Sequence, residues 1–147
     1  MDERARLVGI NHVAIEVGDL DEALEFYGKA FEVTLRGRAG AMAFLDMGDQ
    51  FLALEAARTQ SPDRGRHIGI VVDDRERALR LLEEAGAERV GRNDVRDPWG
   101  NRLQIVDYRE IQFTKAPWVL DAMDLDGLEK TDEALAELRE KGIEPPQ

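Results

Sequence analysis

The 147-residue sequence has no cysteine and only two histidines. Without cysteine there is no disulfide framework, no zinc–thiolate finger and no thiol nucleophile. The sequence also lacks any apolar run near the roughly 18–20 residues that a membrane-spanning helix needs, and residues 1–9 have no signal-peptide core. We therefore expect a cytoplasmic protein without a membrane partner, whose chemistry depends on His, Asp, Glu, Arg and backbone groups.

Basic side chains are scarce relative to acidic ones. The chain has 20 Lys and Arg against 31 Asp and Glu, which gives a net charge of −11. Nucleic acids and anionic membranes are bound through basic patches, so we expect neither as a partner. The length and the 43% hydrophobic content are those of one globular domain.

Two segments of the chain repeat each other at a spacing of 55 residues, which aligns His12 with His67. Each segment predicts a β-branched strand, then an Asp that can cap a helix, then an amphipathic helix. Other matched pairs are Ile15 with Ile70, Val17 with Val72, Asp19 with Asp74, Ala23 with Ala78 and Leu24 with Leu79. A repeat of this kind indicates two copies of one structural unit.

More strands follow each predicted helix. They are expected at residues 32–35, 41–47 and 51–56 in the first copy, and at 88–91 and 102–108 in the second, with a polar stretch at 92–95. The order predicts an α+β fold of two paired βαβββ modules, at residues 8–57 and 66–108, within one structural domain. A polar linker joins them, and residues 97–101 form a Pro-Gly turn before the last strand.

Residues 109–147 lie outside the repeat and predict a C-terminal helical tail. Thr131 is a suitable helix cap and Gly142 a suitable stop. We expect the tail to be a packing or dimerisation appendage rather than part of a catalytic site. Phe113, Trp118 and Val119 are the residues expected to dock it onto the sheet.

The two histidines occupy equivalent positions of the two copies. Matched side chains of paired half-domains can converge across a pseudo-symmetry axis, and imidazole is the commonest metal ligand near neutral pH. The alternative is that each is an ordinary core histidine. The sequence leaves undecided which other residues would join the histidines as metal ligands. Strand alternation places Gln104 on one face with Val106 and Tyr108, but it does not show whether Glu55 faces the cleft between the paired modules.

The residues resemble those of the vicinal oxygen chelate superfamily, which includes glyoxalase I, extradiol dioxygenases, fosfomycin-resistance enzymes and bleomycin-resistance proteins. The resemblance covers about residues 8–108. It rests on the openings Asn11-His12-Val13-Ala14-Ile15 and Arg66-His67-Ile68-Gly69 and on the turn Asp97-Pro98-Trp99-Gly100-Asn101. It implies that the paired modules form a cup-shaped sheet that holds a divalent metal and a small-molecule substrate, in a homodimer or within one chain.

Carried over residue by residue, the resemblance implies His12, His67 and Gln104 as metal ligands, with Ala53 or its neighbour Glu55 near an optional fourth position. The third position is usually Glu in the family, and the neutral Gln104 is a weaker ligand for a hard ion. A carboxylate at the site therefore requires Glu55 to face inward.

Two classes of function follow from the resemblance. One is a glyoxalase- or dioxygenase-like enzyme in which Ni, Zn, Mn or Fe acts as a Lewis acid on vicinal oxygens, with Glu55 as a fourth ligand or general base. The other is a metal-free binding module of the bleomycin-resistance type. Its cup walls would be four aromatic residues, Phe44, Phe51, Trp99 and Tyr108. Arg36, Arg38 and Arg102 are expected on solvated faces, with attraction of an anionic substrate as the alternative.

Overall fold

The computed structural model describes residues 4–146. Outside the described residues lie 1–3, which belong to the start where no signal core is expected, and 147, which ends the predicted tail. The first module contains β1 (His12–Glu16), α1 (Leu20–Ala30), β2 (Thr34–Ala39), β3 (Met42–Asp46) and β4 (Phe51–Glu55). The second contains β5 (Ile68–Val72), α2 (Arg75–Ala85), β6 (Glu88–Arg89), β7 (Asp94–Arg96) and β8 (Arg102–Asp107). The tail has a 3-10 turn (Tyr108–Glu110), α3 (Pro117–Ala122) and α4 (Asp132–Glu140). Among residues 4–146, none of the helices has the length and apolar character needed to cross a lipid bilayer.

The matched aspartates of the repeat begin the two long helices. Asp19 accepts a hydrogen bond from the Glu22 N–H at 3.0 Å, and Asp74 accepts one from the Arg77 N–H at 3.1 Å. Each bond satisfies a backbone donor that the first turn of a helix leaves without a partner. The predicted caps therefore form in both modules.

Each module folds into one four-stranded sheet, in the orders β1-β4-β3-β2 and β5-β8-β7-β6. In both, the first strand is parallel to the last and the other pairs are antiparallel. The predicted α+β fold of two βαβββ modules with C-terminal helices is confirmed. The polar stretch at 92–95 differs from expectation, because β7 forms there and pairs with both of its neighbours.

The two sheets are separate within the chain, so one chain does not close a single cup. In the part of the chain that the structure describes, no strand pairing joins the sheets. Instead α1 packs against α2, and the apolar face of each sheet lies on the helix side of one shared core. The fully buried members of that core include Val17, Leu54, Leu82, Val95, Leu103 and Ile105.

Asp97, in the turn before β8, joins the two modules. It is buried and accepts hydrogen bonds from the Tyr27 hydroxyl of α1 at 2.6 Å and from the backbone and side chain of Asn101 at 2.8 Å each. The Asn101 amide also donates to the Glu16 carbonyl of β1 at 2.8 Å. Burial, then the charge of Asp97 and its hydrogen bond, raise the pKa of the Tyr27 hydroxyl well above its ordinary value.

Asp63 organises the linker between the modules. Its carboxylate accepts bonds from Arg58 at 3.2 Å, from Arg66 at 2.6 Å and from the Arg102 N–H at 3.2 Å. Burial alone raises the pKa of the Asp63 carboxyl, but the hydrogen bonds from these three donors outweigh it and hold the pKa below its ordinary value. Asp63 therefore ties the linker to β8 through the Arg102 N–H, and Arg58, which also donates to the Glu16 carbonyl at 3.3 Å, ties it to β1.

The tail docks onto both modules. Gly48, in the β3–β4 turn, has a φ of 77°, which favours glycine, and a Cβ there would lie 2.5 Å from Met123 Sδ and 3.1 Å from Val119 Cγ1, so α3 packs directly on this turn. On the second module, Arg75 of α2 pairs with Glu110 of the 3-10 turn at 2.6 Å. Within the tail, the Lys130 ammonium donates to the carbonyls of Tyr108, Ile111 and Phe113. Val119 is buried as expected of a docking residue, whereas Trp118 is 76% exposed, because it points away from the contact.

We predict that Tyr27→Phe lowers the free energy of unfolding by about 1.5–3 kcal/mol, because the buried Asp97 carboxylate loses its hydrogen bond from the Tyr27 hydroxyl. Tyr108→Phe is the matched control, since its hydroxyl accepts only a neutral 3.2 Å bond from the Lys115 N–H. It should cost about 1 kcal/mol or less. Urea unfolding measures both, and equal losses would contradict the role given to Asp97.

We predict that Asp63→Asn destabilises the protein by about 3 kcal/mol at neutral pH, because the buried Arg58 loses its counter-charge. The folded pKa of Asp63 lies below the unfolded one, so this stability is complete above about pH 4 and disappears as the pH falls through the folded pKa. Unfolding measured at neutral and at acid pH should show the difference from wild type shrinking in acid. A difference of constant size would contradict this, and the exposed Asp126→Asn is the control.

Candidate functional site

One face of each sheet is turned away from the helices. In the first module this helix-free face consists of alternate residues of β1, β4 and β3, because the intervening residues Leu52 and Leu54 are buried in the core. Its members are His12, Ala14, Glu16, Met42, Phe44, Asp46, Phe51, Ala53 and Glu55. The predicted residues of the first module thus share one surface.

His12 is held in place on this face. Its ring stacks on Phe51 with centroids 4.6 Å apart and an interplanar angle of 8°. Its Nδ1 lies 2.8 Å from the Asn11 Oδ1. Phe44 packs edge-on against Phe51 at 5.9 Å. Histidine and two aromatic rings therefore form one continuous cluster.

The helix-free face of the second module carries the other predicted ligands. Gln104 pairs with Gly69 on β5, two residues beyond His67, so the two side chains lie on the same face at neighbouring positions. The His67 Nδ1 is 2.8 Å from the Gly65 carbonyl oxygen. Both histidines are exposed.

The two imidazoles share one arrangement. Each places Nδ1 against an oxygen that accepts a hydrogen bond, so Nδ1 carries the proton and the Nε2 lone pair is left outward. A metal-ligating histidine characteristically donates its second ring N–H to such an oxygen, which fixes the tautomer and the ring orientation. The donor set therefore fits a metal by its chemistry.

The strand register places Glu55 on the same face as His12, a point that the sequence left open. Ala14 pairs with Ala53 as Gly69 pairs with Gln104, so Ala53 is the counterpart of Gln104. Glu55 pairs with Glu16, four residues along the strand from the level of His12, which is roughly 13 Å. Glu55 therefore faces the site but lies far from His12 of its own chain.

Trp99 and Tyr108 lie away from the two helix-free faces. Trp99 packs edge-on against Phe26 at 5.8 Å and against Gly18, where a Cβ would lie 2.6 Å from its Nε1. Tyr108 is buried under the tail, with the Lys130 ammonium 3.6 Å from its ring centroid. Of the four predicted wall residues, Phe44 and Phe51 remain on a helix-free face.

Of the polar residues on these faces, Asp94 was not singled out from the sequence, and Arg36 was named there only as an alternative site for attracting an anionic substrate. Asp94 pairs directly with Gln104, and Arg102 holds its carboxylate with contacts of 2.7 and 2.8 Å. Arg36 lies with its guanidinium carbon 5.5 Å from the Phe51 ring centroid. No sequence signal indicated Asp94, because its strand was expected to be an irregular polar stretch.

One chain does not by itself bring the two histidines together with a carboxylate. Within residues 4–146, no group of three or more His, Asp or Glu side chains is placed to hold a metal ion. His12, His67 and Glu55 therefore do not converge in a single chain. A cavity of about 430 Å³ lies beside the linker and is lined by Ser61, Pro62, Arg64 and Arg96, none of them a predicted site residue.

The chain belongs to the Glyoxalase/Bleomycin resistance protein/Dioxygenase superfamily, whose family model matches residues 9–105. This is the vicinal oxygen chelate superfamily expected from the sequence. Solved structures are similar to the chain at low identity. A glyoxalase family protein from Bacillus anthracis is 20% identical with a TM-score of 0.56, over 71% of this chain and 98% of that one.

Two further structures give the same result. The fosfomycin resistance protein FosX from Mesorhizobium loti is 16% identical with a TM-score of 0.56, over 69% of this chain and 92% of that one. A glyoxalase/bleomycin resistance protein/dioxygenase family enzyme from Burkholderia phytofirmans PsJN is 18% identical with a TM-score of 0.55, over 66% and 96%. At these identities the likeness shows the fold alone.

We predict that both neutral histidines carry their proton on Nδ1. Long-range ¹H–¹⁵N NMR above the ordinary histidine pKa of about 6.5 reports the tautomer directly. Asn11→Ala should release His12 to a mixture of tautomers while His67, held by a backbone carbonyl, stays unchanged as the internal control. A predominant Nε2–H form of either ring in the wild type would contradict the arrangement.

Proposed function

We propose that the protein is a metal-dependent enzyme of this superfamily that acts on a small substrate with two neighbouring oxygens. The observation that carries the proposal is the pair of equivalent histidines, each with Nδ1 bound to an acceptor oxygen and Nε2 free. His12, His67 and Gln104 would hold the ion. When bound, Ni, Zn, Mn or Fe would supply a Lewis acid for an enolate or diolate.

We propose further that the site forms between two copies of the chain, with His12 from one and His67 and Gln104 from the other. β1 and β5 are edge strands, each with one side without a strand partner among the described residues. Leu7, Val8 and Ile10, which precede β1, are exposed, and apolar surface of this kind is typical of an interface. Because the modules are repeats, the second module of one copy can take the place opposite the first module of another.

The chain's own residues would then divide the remaining work. Phe44 and Phe51 would cover the substrate and exclude water from one side. Glu55 lies on the same face but remote from His12 along the strand, so it would not be a ligand beside His12 of its own chain; it would accept a proton from the part of the substrate that extends along the face to its carboxylate.

A metal-free binding module of the bleomycin-resistance type is the second candidate. Gln104 is neutral, and the adjacent Asp94 carboxylate is held by Arg102, so the third ligand position has no free carboxylate. This observation favours a module in which Phe44 and Phe51 bind an apolar or aromatic ligand and the histidines donate hydrogen bonds. The cytoplasmic location and the absence of nucleic-acid and membrane partners stay predictions.

Metal binding tests the choice between the two candidates. Protein purified without chelator should contain one Ni, Zn, Mn or Fe per chain by elemental analysis, and the added ion should raise the melting temperature. His12→Ala and His67→Ala should each abolish stoichiometric binding, whereas Glu55→Gln should leave it intact and remove activity. Substoichiometric metal with no thermal shift for any of the four ions would contradict the enzyme proposal.

Mixing the two histidine variants tests the interchain site. A dimer made from one His12→Ala chain and one His67→Ala chain, purified through two different tags, has one doubly damaged site and one intact site. It should regain half of the wild-type metal, although neither variant binds metal alone. Failure of the mixed dimer to regain metal, with wild type binding normally, would place the ligands within one chain.

A further inference from the structure

Arg36 lies at an irregularity of the first sheet. The pairing of β2 with β3 shifts register between Leu35 and Gly37, so Arg36 is the extra residue of a β-bulge. A bulge redirects a side chain that regular alternation would place elsewhere, and bulges occur often beside functional sites. Here the guanidinium reaches the helix-free face and lies 5.5 Å from the Phe51 ring centroid.

The guanidinium of Arg36 has no carboxylate partner among residues 4–146, although at least nine other arginines of this acidic chain have one there. Arg38, two residues on, shows the contrast: it lies on the helix side and pairs with Asp21 at 2.6 Å. The Arg36 charge is therefore left available beside an aromatic cluster that also contains His12.

We propose that Arg36 is a specificity-determining residue that binds the carboxylate of a planar, aromatic or conjugated substrate whose ring packs on Phe51 and Phe44. The inference rests on the proposed function, in which this face lines the ligand site, and it names the chemical class of the ligand. Guanidinium groups match a carboxylate through two parallel hydrogen bonds, and aromatic rings bind planar groups by offset or edge contact.

The charges of the face orient such a ligand. Asp46 pairs with Phe51 in the sheet, and Glu16 and Glu55 lie at the far end of the face. Glu16 and Glu55 repel an anion from the far end, and at the Phe51 end the Arg36 guanidinium opposes the negative charge of Asp46. The net charge of −11 also disfavours anions in general, so any preference for one must come from a local group.

Benzoate and benzamide separate charge from shape, because they have nearly the same ring and size and differ in charge. Calorimetric or NMR titration of the full chain should show benzoate binding about tenfold or more tighter than benzamide. Arg36→Met should abolish that preference, and Arg36→Lys should keep part of it, since it retains the charge but not the planar fork. Phe51→Leu should weaken both ligands alike.

Arg38→Met is the matched control and should leave the preference at its wild-type value. Equal binding of the two probes, no binding of either, or a preference that survives Arg36→Met would overturn the inference. The titrations are made with chelator-treated and with metal-loaded protein. If the protein binds metal normally but does not prefer benzoate, only the role of Arg36 is refuted. If it prefers benzoate but binds no metal, only the enzyme proposal is refuted.

Discussion

The buried carboxylate of Asp97 is the interaction on which the arrangement of the two modules depends. It belongs to the second module, yet its donors include the Tyr27 hydroxyl of the first, and Asn101 extends the network to the Glu16 carbonyl. A buried carboxylate is tolerated only where several donors satisfy it, so α1, β1 and this turn must stay together. The Pro-Gly turn is therefore an intermodule joint as well as a connection between strands.

This joint determines which faces of the two sheets are left uncovered. Because α1 and α2 face each other across a common core, the helix-free faces of the sheets are left without a cover from their own helices. His12 lies on one of these faces and His67 with Gln104 on the other. The proposed pairing of two copies follows from that separation.

Arginine–carboxylate pairs organise the rest of the surface near these faces. Asp63 forms ion pairs with Arg58 and Arg66 at the linker, and Asp94 forms one with Arg102 beside Gln104. Arg36 differs because a bulge directs it toward an aromatic ring instead of a carboxylate.

The repeat, both capped helices, the βαβββ order and the superfamily could be predicted from the sequence, because hydrophobic periodicity, helix caps and matched His and Asp positions are visible along the chain without knowing which strands pair. The three-dimensional structure was needed to show which face each strand residue occupies, since a shift of one residue in register reverses every side chain. Glu55 lies on the same face as His12, and Asp94 lies beside Gln104. Trp99 packs between the modules and Tyr108 packs under the tail. These placements depend on pairings between distant segments, which no local pattern encodes.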